Sequence, residues 1–458
     1  MKTIKPPPEH SLEPFGDIVG HAPLDLPRYM AFVSPLDSKG RYLPYDKLRF
    51  RIPQGLDHRL VWSVVKFGRQ GQAQVLAEMG APARTCTVFL TPAIQEAVSA
   101  VDRHATTARL ELLGRQLGEE QRLGYLLNDL IQDEAISSSQ LEGAATTTAV
   151  AKDMLRAGRK PRTPDERMIL GNFRLMQCAW RLRDQPLSVE LIQQLHSEGV
   201  EGLDDDAYQP GAFRQGDDVV VEDGEGNVVH QPPPVQGLEA RIERFARWLN
   251  DEHGPHREAL ARHPLIKAIV VHFFIGYEHP FRDGNGRVAR SLFYWYLFKH
   301  GYGAFRYIAL STLLKEANVQ YGRSYLYSET DGMDLTYFVD FQAAMILRAV
   351  RGFIDCHENS LRQITAFNHY LYDTGLYRQL SDKQQVLLQA ARSGQTRWFT
   401  ANQAQQQLGC AYNTAATALN GLVELGLFEK RQQGREWVFS SVAGRTFMQA
   451  WESRRGAG

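Results

Sequence analysis

One imidazole, one carboxylate, a glycine-spaced turn and the two arginines Arg287 and Arg290 of a single short run, His279-Pro280-Phe281-Arg282-Asp283-Gly284-Asn285-Gly286-Arg287-Val288-Ala289-Arg290, hold most of the chemistry legible in this chain. They are the parts needed to keep a metal-bound polyphosphate beside a general base. His279 has an ordinary pKa suited to taking a proton from a hydroxyl near neutral pH. Asp283 suits Mg2+, which takes one or two carboxylates together with substrate phosphates and water. Gly284 and Gly286 permit positive φ, so successive backbone N–H groups can converge on an anion. Arg287 and Arg290 share one face of a helix start, where cations oppose the macrodipole unless an anion lies between them. Arginine's forked donors to phosphate oxygens would resolve that conflict.

Two helices must position this run. Ile266, Ile269, Val270, Phe273 and Phe274 predict a buried helix over Leu265 to Gly276. It ends near His279, because Pro280 disfavours helical geometry at the residue before it. A second helix starts near Arg287 and continues through the apolar run Ser291 to Phe298, read as core packing. Its unpaired N–H groups and positive dipole end face the glycine turn. Further upstream, Leu123 to Gly143 reads as one helix, with Leu126, Leu127, Leu130, Ile131, Ala135, Ile136 and Leu141 as its apolar positions. Ser138 and Glu142 lie four apart on one face, and Glu142 sits at the wrong end of the dipole, as paired or functional residues often do. Between these helices, Asp217 to Glu222, including Val219, Val220 and Val221, and Val228 to His230 flank a glycine-containing turn and predict a β-hairpin. Pro232-Pro233-Pro234 ends it before a helix over Leu238 to Leu249.

The order HPFxDGNGRxxR resembles the signature of Fic-domain proteins, with every position filled. The resemblance implies a mainly α fold, a Fic-fold helical core with a β-hairpin flap. It implies protein adenylyltransferase chemistry, in which Mg-ATP gives AMP to a hydroxyl of a target protein or of the enzyme itself. His279 would be the catalytic base and Asp283 the metal ligand. Gly284, Asn285 and Gly286 would form the anion hole, with Arg287 and Arg290 on the phosphates of ATP and Phe281 fixing the loop from the core. Glycine at 286, where the kinase-like Doc branch carries lysine, favours nucleotidyl transfer. Ser138-Ser139-Gln140-Leu141-Glu142-Gly143 resembles the family's inhibitory [S/T]xxxE[G/N] motif, placed N-terminal to the core. By that resemblance Glu142 pairs with Arg290 and holds ATP unproductively. The hairpin would be the flap that pairs with the target backbone through Val219, Val220 and Val221. Alternatives within the same chemistry are removal of AMP or transfer of another nucleotide or a phosphocholine group. An alternative of another class is a DNA-binding regulator whose Fic core senses nucleotide.

The remaining sequence sets the frame. A chain of 458 residues accommodates two or three domains. The expected division is residues 1–90 as an N-terminal region of unclear fold, 91–375 as the Fic domain and 380–445 as a winged helix-turn-helix. The Fic domain would include the inhibitory helix (about 123–143) and flap (about 213–230). In the first region Tyr42 to Ile52 is expected to be extended. Tyr321 and Tyr325 to Thr330 are expected to return toward the nucleotide's base or close the core, and Asp334 to Phe338 to start a closing helix. In the tail, helices over Lys383–Ala391, Thr400–Leu408 and Asn413–Glu424 precede a two-stranded wing at Phe428–Arg431 and Glu436–Phe439. Asn413, Thr414, Thr417 and Asn420 are the residues such a third helix would offer to DNA bases, with Lys430, Arg431 and Arg435 for phosphate. Against that, the third helix has no lysine or arginine, and Ser381 to Gly458 carries nine basic against five acidic residues. DNA contact, protein docking and a homodimer all stay open for this module. Net charge is zero, which gives the whole chain no bias toward nucleic acid or membrane. The N-terminus lacks an apolar signal core, and Cys86, Cys178, Cys356 and Cys410 lack metal or redox spacing, so the expected location is cytoplasmic.

Overall fold

The computed structural model describes residues 4–117, 132–203, 208–251, 262–393, 398–433 and 436–455. The chain divides into two compact units, drawn from Met1–Thr106 with Leu130–Val350 and from Thr107–Asp129 with Arg351–Gly458. It is mostly helical. No helix among the described residues is long and apolar enough to cross a membrane.

The first unit is built around the two helices predicted to carry the motif, Pro264–Glu278 and Asn285–Lys299. Nearly every side chain of both is buried, including Ile266, Val270, Phe273, Phe274, Leu292, Phe293 and Trp295. A helix apolar on all sides belongs at the centre of a domain, and each large side chain so buried contributes about 1.5–3 kcal/mol. Around this pair lie Pro164–Arg181, Val189–Val200 and Leu238–Asn250. Their starts are set locally: Thr163 and Ser188 accept from the backbone N–H of Glu166 and Leu191, and Pro164 supplies a preset φ at the first helical position. Pro164–Arg181 and Val189–Val200 approach closely at two glycines, where a Cβ on Gly171 would stand 2.5 Å from the carbonyl oxygen of Gly199.

The N-terminal 106 residues belong to the same unit. Asp57 caps the helix His58–Gln70 by accepting from Arg59 and Leu60 N–H. The strands Gln74–Met79 and Arg84–Val88 form an antiparallel hairpin, and Thr87 exchanges backbone hydrogen bonds with Met333 and Leu335. Tyr42 to Ile52 is not extended. Pro44 takes β geometry as an N-cap, and Tyr45–Leu48 is helical with Tyr45 and Leu48, three apart, both buried. The closing helix runs Thr336–Asp373, and Asp334 accepts from the Thr336 N–H just before it. Tyr325 stacks on Phe273 and packs on Phe338, closing the core.

In the second unit, Asp382–Ser393, Ala401–Leu408 and Tyr412–Glu424 precede the hairpin Phe428–Gln433/Glu436–Ser441 and a final helix, Gly444–Arg455. Thr400 and Gln403 form a reciprocal capping box. Phe399 pairs with Phe439 and shares a core with Leu387, Leu419, Leu422 and Phe428. Asn420, half-buried, donates to Ala416 O at 2.9 Å and accepts from Lys430 Nζ at 3.3 Å. Arg435 lies outside the described residues.

Candidate active site

The motif run bridges the two central helices as a tight loop. Helix Pro264–Glu278 ends in His279 at φ 47°, a left-handed residue that is not glycine, and Pro280 prevents the helix from continuing. Such geometry costs a residue with a Cβ about 1 kcal/mol or more and persists where surroundings fix it. Here the fixing is visible. The His279 carbonyl accepts from Arg214 Nε at 3.0 Å, and the Pro280 carbonyl accepts from the Arg214 backbone N–H at 2.9 Å. Arg214 is buried and also donates to Gly216 O, to Asp217 Oδ1 and to Pro233 O. One guanidinium thus ties the loop to both ends of the hairpin region. The run Phe213-Arg214 carries no periodicity that would have assigned Arg214 this place.

Asn285 closes the loop from the other side. Its Oδ1 accepts from the Phe281 N–H at 2.9 Å and its Nδ2 donates to the Phe281 carbonyl at 2.8 Å. The side chain of Asn285 is therefore spent inside the loop, and what it can offer an anion is its backbone N–H. Phe281 is fully buried and stacks on His196, with ring centroids 3.7 Å apart and planes at 8°. His196 Nδ1 accepts from the Gly211 N–H at 3.1 Å, so Nε2 carries the proton and donates to the Asp283 carbonyl at 3.0 Å. Burial pushes the His196 pKa down to about 4, which keeps that neutral tautomer.

His279 Nδ1 lies 3.3 Å from the Gly276 carbonyl and faces it as a donor, leaving the Nε2 lone pair without a partner among the described residues. Burial pushes its pKa down to about 4 against the raising effect of the Gly276 bond, so the ring is neutral at pH 7. Gly276 is required where it is: a Cβ there would meet the Tyr325 hydroxyl at 2.6 Å. Asp283 accepts from the Gly284 N–H with Oδ1. No group of three or more His, Cys, Asp or Glu side chains that could hold a metal ion occurs among the described residues. Asp283 is the carboxylate of the loop that could hold Mg2+, an ion that takes one or two carboxylates together with phosphate oxygens and water.

Gly284, at φ 81°, precedes helix Asn285–Lys299, and Val288 N–H makes the first helical bond, to Gly284 O. The N–H groups of Asn285, Gly286 and Arg287 are left to an outside acceptor, as at any helix start. Arg287 is buried, donates from Nη1 to Gly199 O at 3.0 Å, and has Nε and Nη2 without an acceptor among the described residues. Two orphaned guanidinium donors next to a helix N-terminus suit a phosphate.

A carboxylate from another part of the chain reaches the same place. Of the helix expected over 123–143, residues 118–131 lie outside the described residues, and 132–141 are helical. The end is made by Gly143 at φ 99°, with Gly143 N–H bonded to Gln140 O and Ala144 N–H to Ser139 O, the bond pair of a Schellman end. Arg290 donates from Nε to Ser138 Oγ at 2.8 Å, and from Nη2 to Ser138 O at 3.0 Å and Glu142 Oε1 at 2.7 Å. Burial alone would raise the Glu142 carboxyl. The charge and hydrogen bond of Arg290, then Arg287 and His279, outweigh it and hold the pKa below the usual 4.5. The segment is pinned behind as well, by Asn172 on Ala135 O, Lys315 on Gln140 and Glu134 on Ser311.

The hairpin pairs Val221–Glu222 with Val228–His230, around a turn in which Asp223 accepts from Glu225 and Asn227 N–H. Val219 and Val220 fall outside the strand, shortening what the alternation predicted. Asp217 is drawn off by Arg214 and by the Val235 N–H, which bends the chain away before pairing begins. Residues 218–220 consequently keep a backbone edge with no partner among the described residues, and the Asp218 carboxylate pairs with Arg282 at 3.4 Å. Two more polar residues went unread as parts of the site in the sequence. His230 joins the hairpin to the Tyr277 carbonyl and to Glu329. Arg241 joins the fully buried Glu278, next to His279, to the carbonyls of Pro234 and Gln236. A charged residue on the apolar face formed by Leu238, Ile242 and Phe245 was the available signal for Arg241.

The Fic/DOC family model matches residues 186–297. Protein adenylyltransferase Fic of Drosophila ananassae is 40% identical over 73 residues, 16% of this chain and 14% of that protein. The protein of the same name from Drosophila melanogaster shows the same identity and coverage. The match thus spans about a seventh of the length of these curated relatives. Among solved structures, a Fic family protein from Desulfovibrio desulfuricans G20 is similar at 19% identity and a TM-score of 0.49, covering 77% of this chain and 96% of that one. Fic-1 from C. elegans is similar at 17% identity and a TM-score of 0.44, covering 76% and 87%.

Proposed function

With a Fic domain at residues 186–297, we propose that this protein transfers AMP from Mg-ATP to a hydroxyl side chain of a target protein or of itself, and that Glu142 restrains the transfer. The observation that carries the reading is the seat of Glu142: a carboxylate held on Arg290 beside a helix N-terminus whose other arginine has donors left without an acceptor among the described residues. A site built for anions is kept by an internal one. The name of the curated relatives, protein adenylyltransferase, supports AMP as the group transferred, and glycine rather than lysine at 286 agrees with it.

The steps follow from the residues. The N–H groups at the helix start and the donors of Arg287 hold the phosphates, with Arg290 joining them once Glu142 is displaced. Asp283 would hold Mg2+, which neutralises phosphate charge. His279, neutral and with a bare Nε2, takes the proton of the target hydroxyl as its oxygen bonds to the α-phosphorus. The bond from that phosphorus to the bridging oxygen breaks, and pyrophosphate leaves. The product is a phosphodiester of AMP on the target. The unpaired edge at 218–220 would align the target's backbone beside His279.

The test is label transfer from α-labelled ATP with Mg2+ to protein, in wild type, Glu142→Gly and Glu142→Gly/His279→Ala. Label that rises in the first variant and disappears in the second supports the reading. Bound ATP with no label in any of the three, with or without cell extract as a source of targets, would overturn it.

A further inference from the structure

His230 ends the second strand of the hairpin, opposite Val221. Its Nε2 lies 2.8 Å from the Tyr277 carbonyl, in the last turn of the helix that delivers His279, where carbonyls lack intrahelical donors. Its Nδ1 lies 2.8 Å from Glu329 Oε2, on helix Asn318–Thr330. Both neighbours are acceptors, so both bonds exist when the ring carries two protons and is charged. We propose that His230 is a positioning residue, a charged cross-brace that seats the flap against the end of the helix bearing His279. That the seated flap serves a protein target rests on the function proposed above; the brace itself does not.

The surroundings favour the charge. Glu329 faces it from one helix, Glu278 lies beside it on the other, and a cation at a helix C-terminus is favoured by the dipole. Other titratable groups near it are the Tyr277 hydroxyl and His279, while Arg84 of the N-terminal hairpin reaches the Glu329 carbonyl at 3.2 Å. Burial works against the charge, but Glu329 and the Tyr277 bond prevail, so the folded pKa lies above the ordinary 6.5. The brace is therefore complete below pH 6.5 and is lost as pH rises through the folded pKa, when one ring nitrogen turns its lone pair toward an acceptor. The charge of His230 also acts on His279, lowering its proton affinity and keeping the base free.

Hydrogen–deuterium exchange of the intact chain, followed by mass spectrometry from pH 6 to 9 and corrected for intrinsic rates, tests the brace on peptides spanning 217–230. In wild type the protection should fall by up to tenfold per pH unit between pH 6.5 and the folded His230 pKa, the slope of one linked proton, and level off above it. His230→Asn should show low protection that does not vary with pH. Glu329→Gln should keep an acceptor and move the midpoint to lower pH, which a merely structural role would not do. A flat wild-type profile, or an unmoved midpoint in Glu329→Gln, overturns the proposal even if His230→Asn fails to fold. Labelling from α-labelled ATP in the Glu142→Gly background should lose activity over the same pH range. Absence of label at every pH would count against the transferase reading and leave the exchange result to decide the brace.

Discussion

The carboxylate of Glu142 stands in the space that a side chain at Gly286 would need. A Cβ on Gly286 would lie 2.2 Å from Glu142 Oε1 and 3.1 Å from Arg290 Nη1. Glycine at this position therefore serves two ends at once, close approach of an anion to the helix start and close approach of the chain's own anion. Gly286 has no positive φ, so alanine fits the backbone and the conflict is chiefly with Glu142, with Arg290 the lesser part of it. Gly286→Ala should destabilise by about 1–3 kcal/mol through displacement of a paired, half-buried carboxylate. In the Glu142→Gly background the same change should cost almost nothing. Denaturant midpoints of the two singles and the double give the coupling, and additivity would show that the two residues do not compete.

Acid should loosen the same contact. Glu142 has a folded pKa held below 4.5 by Arg290, so its pairing contributes stability above pH 4.5 that is lost as pH falls through the folded value. Thermal midpoints of wild type and Glu142→Gln should differ by a constant amount above that range and converge below it. A difference that persists unchanged to pH 3 would mean that the carboxylate's charge plays no part.

Much of this site was legible because it is local. Thirteen of the fifteen residues of Pro264–Glu278 are buried, a continuous apolar run that only a central helix explains, and Pro280 dictates where that helix stops. Gly143 likewise marks its helix end. What periodicity could not supply were single polar residues acting over long separations: Arg214 on His279, His196 on Asp283 and Arg241 on Glu278 stand 65, 87 and 37 residues apart. No pattern in the chain links such pairs. Tyr42 to Ile52 misled for the opposite reason, since alternating apolar residues there also satisfy one helical turn followed by a tighter one.

Arg214 should be costly to replace. Its removal would leave the carbonyls of His279, Gly216 and Pro233 without their donor in a buried setting. Arg214→Met should lower stability by about 2–5 kcal/mol. Arg214→Lys keeps the charge yet cannot span those acceptors, and should recover part of the stability with little of the activity. Calorimetry of the unfolding transitions, read beside labelling at matched folded fraction, separates the two effects. Equal activity in Lys and Arg forms would show that the planar fork is not needed to place His279.

His279 should set an unusually low acid limit on the reaction. An ordinary histidine base loses half its activity near pH 6.5, but burial brings this one to about 4. With the proposed Glu142 restraint removed by Glu142→Gly, the labelling rate should stay level from pH 6.5 down to about 5 and fall only as pH approaches 4. One neighbour sharpens the expectation: the charge of His230 lowers the proton affinity of His279. His230→Asn removes that charge and should shift the acid limb to higher pH, provided Glu142→Gly is present in both proteins. An acid limb centred near 6.5 in the parent would mean that His279 is solvated in the working enzyme, and an unshifted limb in His230→Asn would mean that the two rings are not electrostatically coupled.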